Sequence, residues 1–251
     1  MRTQLYFIVD PMCSWCWGFR SSWKTFLAEL PPSVIVKDLM GGLAPDSDEP
    51  MDATTQAYVQ SAWRSVGDRT GAKFNHEFWD VCQPRRSTYP ACRAVISAGL
   101  QSTSARRRYY EAVQQAYYLE ARNPSDTATL IALASEIGID NVQFQQDLDS
   151  STVQEAFDAE LTQVRSFGVT GFPTVIWHQK EDATAGERMG LLSAGYVDVN
   201  TLRENWLILT NRGQMKAERL TVLMGCGDEQ TNRPMGKPQQ KKGAETFRHW
   251  G

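Results

Sequence analysis

The stretch Asp10-Pro11-Met12-Cys13-Ser14-Trp15-Cys16-Trp17-Gly18-Phe19 carries two cysteines separated by two residues. Such a pair suits thiol–disulfide exchange, half of a tetrahedral metal site, or a pair of inert buried thiols. A metal would need a second pair of Cys or His ligands at similar spacing. Cys82, Cys92 and Cys226 are scattered, and His76, His178 and His249 stand alone, so the spacing favours redox chemistry and no metal is assigned. Exchange needs one thiol that ionises readily and a second placed to attack the mixed disulfide formed by the first.

The flanking residues supply that asymmetry. Leu5-Tyr6-Phe7-Ile8-Val9 is a continuous apolar run stopped by Asp10-Pro11, the pattern of a buried parallel strand ending in a turn. From Cys16 onward Trp17, Phe19, Trp23, Phe26, Leu27 and Leu30 recur near helical spacing until Pro31-Pro32. Cys13 therefore stands at a helix N-terminus, where unpaired backbone N–H groups and the helix dipole would pull its pKa from ~8.5 toward the ~3.5–7.5 range. That makes Cys13 the expected nucleophile. Cys16, one turn later and facing inward, is the expected resolving thiol.

The rest of the chain reads as one α/β unit interrupted by helices. Val34-Ile35-Val36 begins a second strand, which completes a βαβ start with a right-handed crossover. After a Pro- and Asp-rich loop over 44–52, helical patterns cover 53–67, 90–103, 104–120, 125–137, 141–149 and 151–167. Strand character returns at Thr174-Val175-Ile176-Trp177, followed by a polar turn over 179–187 and a second strand over 191–197. A closing helix over 200–211 places Leu202, Trp206 and Leu209 on one face. The expected parts are thus 1–44 and 168–212 for the α/β unit, 45–167 for the helical insertion, and 213–251 for an extension rich in Gly, Gln, Lys, Pro and Asn, flexible from 225. A second clue lies in Gly171-Phe172-Pro173-Thr174, where a proline heads the third strand and a cis X–Pro bond would face the cysteine pair.

Taken together these motifs resemble the DsbA-like branch of the thioredoxin superfamily. The resemblance spans roughly residues 4–212. The Asp-Pro-x-Cys-x-x-Cys-Trp-Gly start, the Gly41-Gly42-Leu43 after the second strand and the Gly-Phe-Pro-Thr loop are similar to the cytosolic FrnE-type members. The resemblance implies an α/β, thioredoxin-like fold with an inserted all-helical domain, and a protein-disulfide oxidoreductase or isomerase. It further implies that the backbone ahead of Pro173 pairs with an extended substrate, with Phe172, Pro173, Ser14 and Trp15 forming the substrate-binding surface. No cofactor is implied, glutathione being a candidate co-substrate. The dipeptide Ser14-Trp15 departs from the Pro-His of well-known members. With no basic side chain there, thiolate stabilisation rests on the helix terminus, which suits a reductase or isomerase.

Composition bounds the partners. The 251 residues carry 26 Lys and Arg against 29 Asp and Glu, a formal charge of -3, so no basic field exists to hold nucleic acid or an anionic membrane. No apolar run approaches the ~18 residues that span a bilayer. The N-terminus enters its first strand at once, without the charged and apolar regions of a signal peptide, so a cytoplasmic location is expected. The expected partners are protein disulfides or thiols, or glutathione; oligomeric state is not legible.

Other signals have plainer readings. Ser87 or Thr88 reads as a helix cap, Cys92 as a small buried hydrophobe, and Asp10 as a turn residue outside the catalytic set. Arg106-Arg107-Arg108 reads as a solvated helix face, and the eight tryptophans as mostly core, with Trp15 the exposed exception. Two other functions stay open. A glutathione-dependent isomerase or transferase of the kappa-class or 2-hydroxychromene-2-carboxylate type would have the same fold but typically a Ser at Cys13. A non-enzymatic chaperone or adaptor would use the helical block as a binding surface and the disulfide for regulation.

Overall fold

The computed structural model describes residues 2–180 and 187–210. The chain begins with β1 (Arg2–Val9), α1 (Ser14–Glu29) and β2 (Ile35–Met40). A helical series follows: α2 (Ala53–Thr70), α3 (Phe78–Val81), α4 (Tyr89–Gln101), α5 (Thr103–Leu119), α6 (Thr127–Glu136), α7 (Asn141–Leu148) and α8 (Ser151–Ser166). The α/β part is completed by β3 (Thr174–Lys180), β4 (Glu187–Ala194) and α9 (Val199–Thr210). The four strands form one sheet in the order β2-β1-β3-β4. β1 and β2 are parallel in the register Leu5↔Val36 and Val9↔Met40, and β3 is antiparallel to both β1 and β4. Residues distant in sequence thus meet at one sheet, as a βαβ start and a ββα end interrupted by seven helices in the described chain.

Burial follows strand position. β1 is buried from Leu5 to Val9 because it lies inside the sheet with both faces covered. On one face Leu5, Phe7, Val9, Val175 and Trp177 pack with α1 and α9, and the rings of Phe7 and Trp23 stack at 4.5 Å. On the other, Tyr6, Ile8, Leu39 and Ile176 meet Val164 of α8, with Phe167 and Val169 alongside. β2 continues from the expected start at Val34-Ile35-Val36 as far as Met40; the polar Lys37 and Asp38 interrupt its apolar pattern, Lys37 being exposed at this edge strand and Asp38 half-buried on the opposite face.

The insertion has its own centre. Trp63 is fully buried and meets Phe74, Phe78, Trp79, Tyr117 and Tyr118 at ring-centroid distances of 5.0–5.7 Å. α3, at four residues, is too short to show a helical period and is absent from the sequence reading; its Phe78 and Trp79 close this cluster. The insertion is tied to α1 at Gly18, where an added Cβ would lie 2.7 Å from Val66 Cγ1 and 2.9 Å from Thr70 Cγ2. Trp17 beside it donates from its indole N–H to the Lys73 carbonyl at 3.0 Å and stacks on Tyr118.

Arg106 does not lie on a solvated face, as its run of three arginines suggests. Its guanidinium contacts both carboxylate oxygens of Glu160 at 2.8 Å and donates to the Asp38 carbonyl at 3.2 Å. Glu160 also accepts from the Met40 N–H at 2.7 Å, so the pair fastens α5 and α8 to the end of β2. The expected polar turn over 179–187 falls largely outside the described residues, as do the extension and Cys226. β4 begins at Glu187, before the expected 191, and ends at Ala194, before the expected 197, because Gly195, at a φ of +77°, breaks the strand there.

Candidate functional site

Cys13 is the N-cap of α1, with extended backbone angles of φ -82° and ψ 116°. Its carbonyl accepts from the Trp17 N–H at 3.1 Å. Its Sγ accepts from the Cys16 N–H at 3.4 Å, the contact a Ser or Asp oxygen makes in an ordinary cap. A sulfur in this position receives an otherwise unpaired N–H of the first turn. Cys13 and Cys16 are both unbridged thiols, 3% and 2% exposed respectively. Burial is the largest influence on Cys16 and pushes its pKa well up; the hydrogen bond and the charge of Cys13 add to this. Cys16 is thus a protonated thiol in the dithiol state.

The second half of the site comes from the other end of the chain. The Phe172–Pro173 peptide bond is cis. The Phe172 carbonyl lies 3.5 Å from Cys13 Sγ and accepts its S–H. Pro173 is buried while Phe172 is half-buried. Gly195 N–H donates to the Pro173 carbonyl at 2.7 Å and Thr174 Oγ1 to the Gly171 carbonyl at 2.8 Å, which hold the loop from both sides. The glycine pair after β2 belongs to this construction. A Cβ at Gly41 would sit 2.1 Å from Phe172 Cε1, so only glycine leaves room for that ring. Gly42, at φ +67°, turns the chain beneath Tyr89 and Leu161.

Trp15 is half-buried, with its ring centroid 6.1 Å from that of Tyr196, so it is less free than an intervening residue of the pair was expected to be. Tyr196, from the turn after β4, holds it. Ser14 is also half-buried. The structure therefore brings Cys13, Ser14, Trp15, Cys16, Phe172 and Pro173 together at the end of β1 and the head of β3.

Sequence reasoning missed Asp10. It is fully buried and does more than turn the chain. One carboxylate oxygen accepts from the Met12 N–H at 2.8 Å; the other accepts from the Leu43 N–H at 2.7 Å, Thr88 Oγ1 at 2.6 Å and Cys92 Sγ at 3.5 Å. Its carbonyl accepts from the Cys13 N–H at 3.1 Å. Burial raises the Asp10 pKa above 3.8, and its four donors, led by Thr88, only partly oppose the rise. Thr88 stands at the N-cap of α4 yet makes no side-chain cap bond, its hydroxyl donating to Asp10 and accepting from the Ala44 N–H at 3.0 Å. Cys92 is buried as expected, and it touches Asp10 as well. The only sequence signal was an Asp directly before the active-site turn; its partners lie 33, 78 and 82 residues away.

A mixed sheet with helices inserted before the third strand, and a dithiol at the first helix facing a cis-proline loop, define a thioredoxin-like protein of the DsbA type. The family model described as thioredoxin matches residues 6–197, and the chain belongs to that family. A structure from Nitrosomonas europaea, titled as a candidate protein disulfide isomerase, is 28% identical with a TM-score of 0.73, covering 84% of this chain and 99% of that one. The cytosolic disulfide reductase DsbM of Pseudomonas aeruginosa is 20% identical with a TM-score of 0.65, covering 84% and 100%. Among curated proteins, the ClpXP adapter protein SpxH of Bacillus subtilis is 22% identical over 184 residues, 73% of this chain and 60% of its own length. The SpxH protein of Halalkalibacterium halodurans is 22% identical over 178 residues, 69% and 58%. The chain therefore spans about three fifths of the curated relatives it matches. No helix among the described residues is long and apolar enough to cross a membrane.

Proposed function

We propose that this protein is a cytoplasmic thiol–disulfide oxidoreductase that reduces or isomerises disulfides of proteins or small thiols, with Cys13 as nucleophile and Cys16 as resolving thiol. The observation that carries the reading is Cys13 Sγ as the cap of α1, 3.5 Å from the carbonyl ahead of the cis-proline. Cys13, as thiolate, attacks one sulfur of a substrate disulfide, and the other sulfur leaves as a thiolate that takes up a proton. The Cys16 thiol loses its proton and attacks Cys13 Sγ. The substrate is released as a dithiol and the pair is left oxidised by two electrons. Two equivalents of a thiol such as glutathione restore the dithiol. A structure of DsbM with GSH supports glutathione as the small thiol. Ser14, Trp15, Phe172 and Pro173 form the surface against which the substrate lies.

The test is the equilibrium of the pair against graded glutathione buffers, read by alkylation and mass spectrometry with Cys13→Ser as control. One two-electron transition, absent in the variant, is expected. A potential near that of thioredoxin, about −270 mV, would make it a reductase, and one nearer −180 mV an isomerase. No transition at all would overturn the reading.

The adaptor reading draws support from the SpxH relatives, named as ClpXP adapters. It predicts that partner binding survives Cys13→Ala while exchange is lost. The glutathione transferase reading needs no second thiol, so the intact dithiol speaks against it; turnover of a chromene carboxylate with glutathione would restore it.

A further inference from the structure

A cavity of about 240 Å³ lies between the two parts of the molecule, behind the cysteine pair. Its floor is apolar: Phe7 and Val9 of β1, Trp23 and Leu27 of α1, Met40 of β2 and Val95 of α4. Cys16 forms part of its wall, whereas Cys13, Trp15, Phe172 and Pro173 do not line it. It is a second site, distinct from the surface where a disulfide would dock.

Its polar groups are incompletely matched. Gln114 is fully buried and lines the cavity; its Nε2 donates to the Tyr110 hydroxyl at 3.0 Å, and its Oε1 has no partner. Turning the amide over would leave its N–H groups unpartnered instead, so one end of Gln114 lacks a hydrogen bond in either orientation. An uncompensated buried amide is costly, which favours a ligand that supplies the missing bond. Four cations border the space: Arg20, Lys24, Arg106 and Arg107. Glu111 pairs with Arg20 at 3.6 Å and Glu160 with Arg106 at 2.8 Å, which leaves Asp38 as the remaining lining carboxylate. Lys24 and Arg107, both on the exposed part of the lining, make no close ion pair among the described residues, although the charge of Arg107 acts on the buried Asp38 carboxylate. The larger cleft of about 420 Å³ beside Arg85 and Arg93 is different, because its arginines are taken up by Asp126 at 2.8 Å and Asp46 at 2.7 Å.

From the apolar floor, the unpartnered Gln114 amide and the two exposed cations at the lip, which outnumber the remaining Asp38 carboxylate, we infer that this cavity binds a compact organic anion, an aryl carboxylate bearing a hydroxyl. The ring would lie on Trp23 and Leu27, the hydroxyl would meet the Gln114 amide as it swings into the space, and the carboxylate would face Arg107 and Lys24. The volume equals that of about eight waters of liquid, room for a single substituted ring and too small for a peptide or a nucleotide.

The probe is 3-hydroxybenzoate, titrated into the reduced full chain and followed by the indole N–H of Trp23 and the side-chain amide of Gln114 in NMR spectra. Saturable shifts of both signals at millimolar probe are expected. Arg107→Gln combined with Lys24→Gln should weaken binding about tenfold or more, and neutral 3-hydroxybenzyl alcohol should bind the wild type about tenfold more weakly. Both replaced side chains are exposed, so the variant should retain the fold. Gln114→Leu should weaken the probe while leaving the affinity for benzoate, which has no hydroxyl, nearly unchanged. The inference is overturned if no saturable shift appears, if the shifts fall instead on Cys13 and Phe172, or if the double variant binds as tightly as the wild type. None of these outcomes depends on whether the dithiol exchanges disulfides.

Discussion

At the scale of single residues, the two thiols differ by their surroundings. Cys13 caps a helix and receives its N–H, whereas Cys16 is held neutral by burial beside Cys13. Cys16→Ala should therefore accumulate the mixed disulfide with a client, visible on a non-reducing gel, while Cys13→Ala forms none. Cys92 is pushed well up, chiefly by burial and then by the charge of Asp10, so alkylation at neutral pH should spare Cys92 and Cys16 in the native dithiol and label both after unfolding. Asp10 offers a test with a definite sign. Its folded pKa is raised, so the protonated form is favoured by folding, and the stability this contributes is complete below 3.8 and lost as pH rises through the folded value. In chemical unfolding from acid to neutral pH, the stability of wild type relative to Asp10→Asn should fall across that window. A rise would show that its four donors outweigh burial.

At the scale of elements, the site depends on close approaches that only small residues permit. Gly41→Ala would place a methyl group inside the Phe172 ring, so either the β2 terminus or the proline loop must move. The expected cost is about 1–3 kcal/mol in unfolding experiments, with slower disulfide exchange because Phe172 leaves its place beside Cys13. The helices themselves were largely legible. Asp52, Ser102, Asp140 and Ser150 each cap a helix through a side-chain acceptor, and the apolar period between caps is regular, so six insertion helices lie within a few residues of their expected bounds. The end of β2 was not legible because the adjacent Lys37 and Asp38 interrupt its apolar run, and α3 was missed because four residues carry no period.

At the scale of the whole molecule, the helical insertion is fixed to the α/β part by a few contacts of high consequence. The Arg106–Glu160 pair, with side chains 16% and 14% exposed, also holds the Met40 N–H at the end of β2. Removing one partner leaves the other charge poorly solvated, so Arg106→Ala should cost roughly 3 kcal/mol, measured as a lower denaturation midpoint. A double replacement by apolar residues should recover much of that loss. Because Glu160 binds the strand directly before Gly41, the single variant should also loosen Phe172, detectable as faster amide exchange at the β2 terminus.

Local patterns in the chain were enough to reveal the dithiol, its place between a strand and a helix, the proline at the head of β3, and the interruption of an α/β fold by helices. These are properties of short stretches, in which residue type, spacing and caps act on neighbours in sequence. Only the tertiary structure decided that Asp10 is bound by Leu43, Thr88 and Cys92, that Gly41 makes space for Phe172, that Arg106 fastens two parts of the molecule, and that Gln114 lacks a partner at the wall of a cavity. The physical reason is distance along the chain: hydrogen bonds, excluded volume and burial act between atoms that are near in space, and 33 to 131 residues separate those partners in sequence.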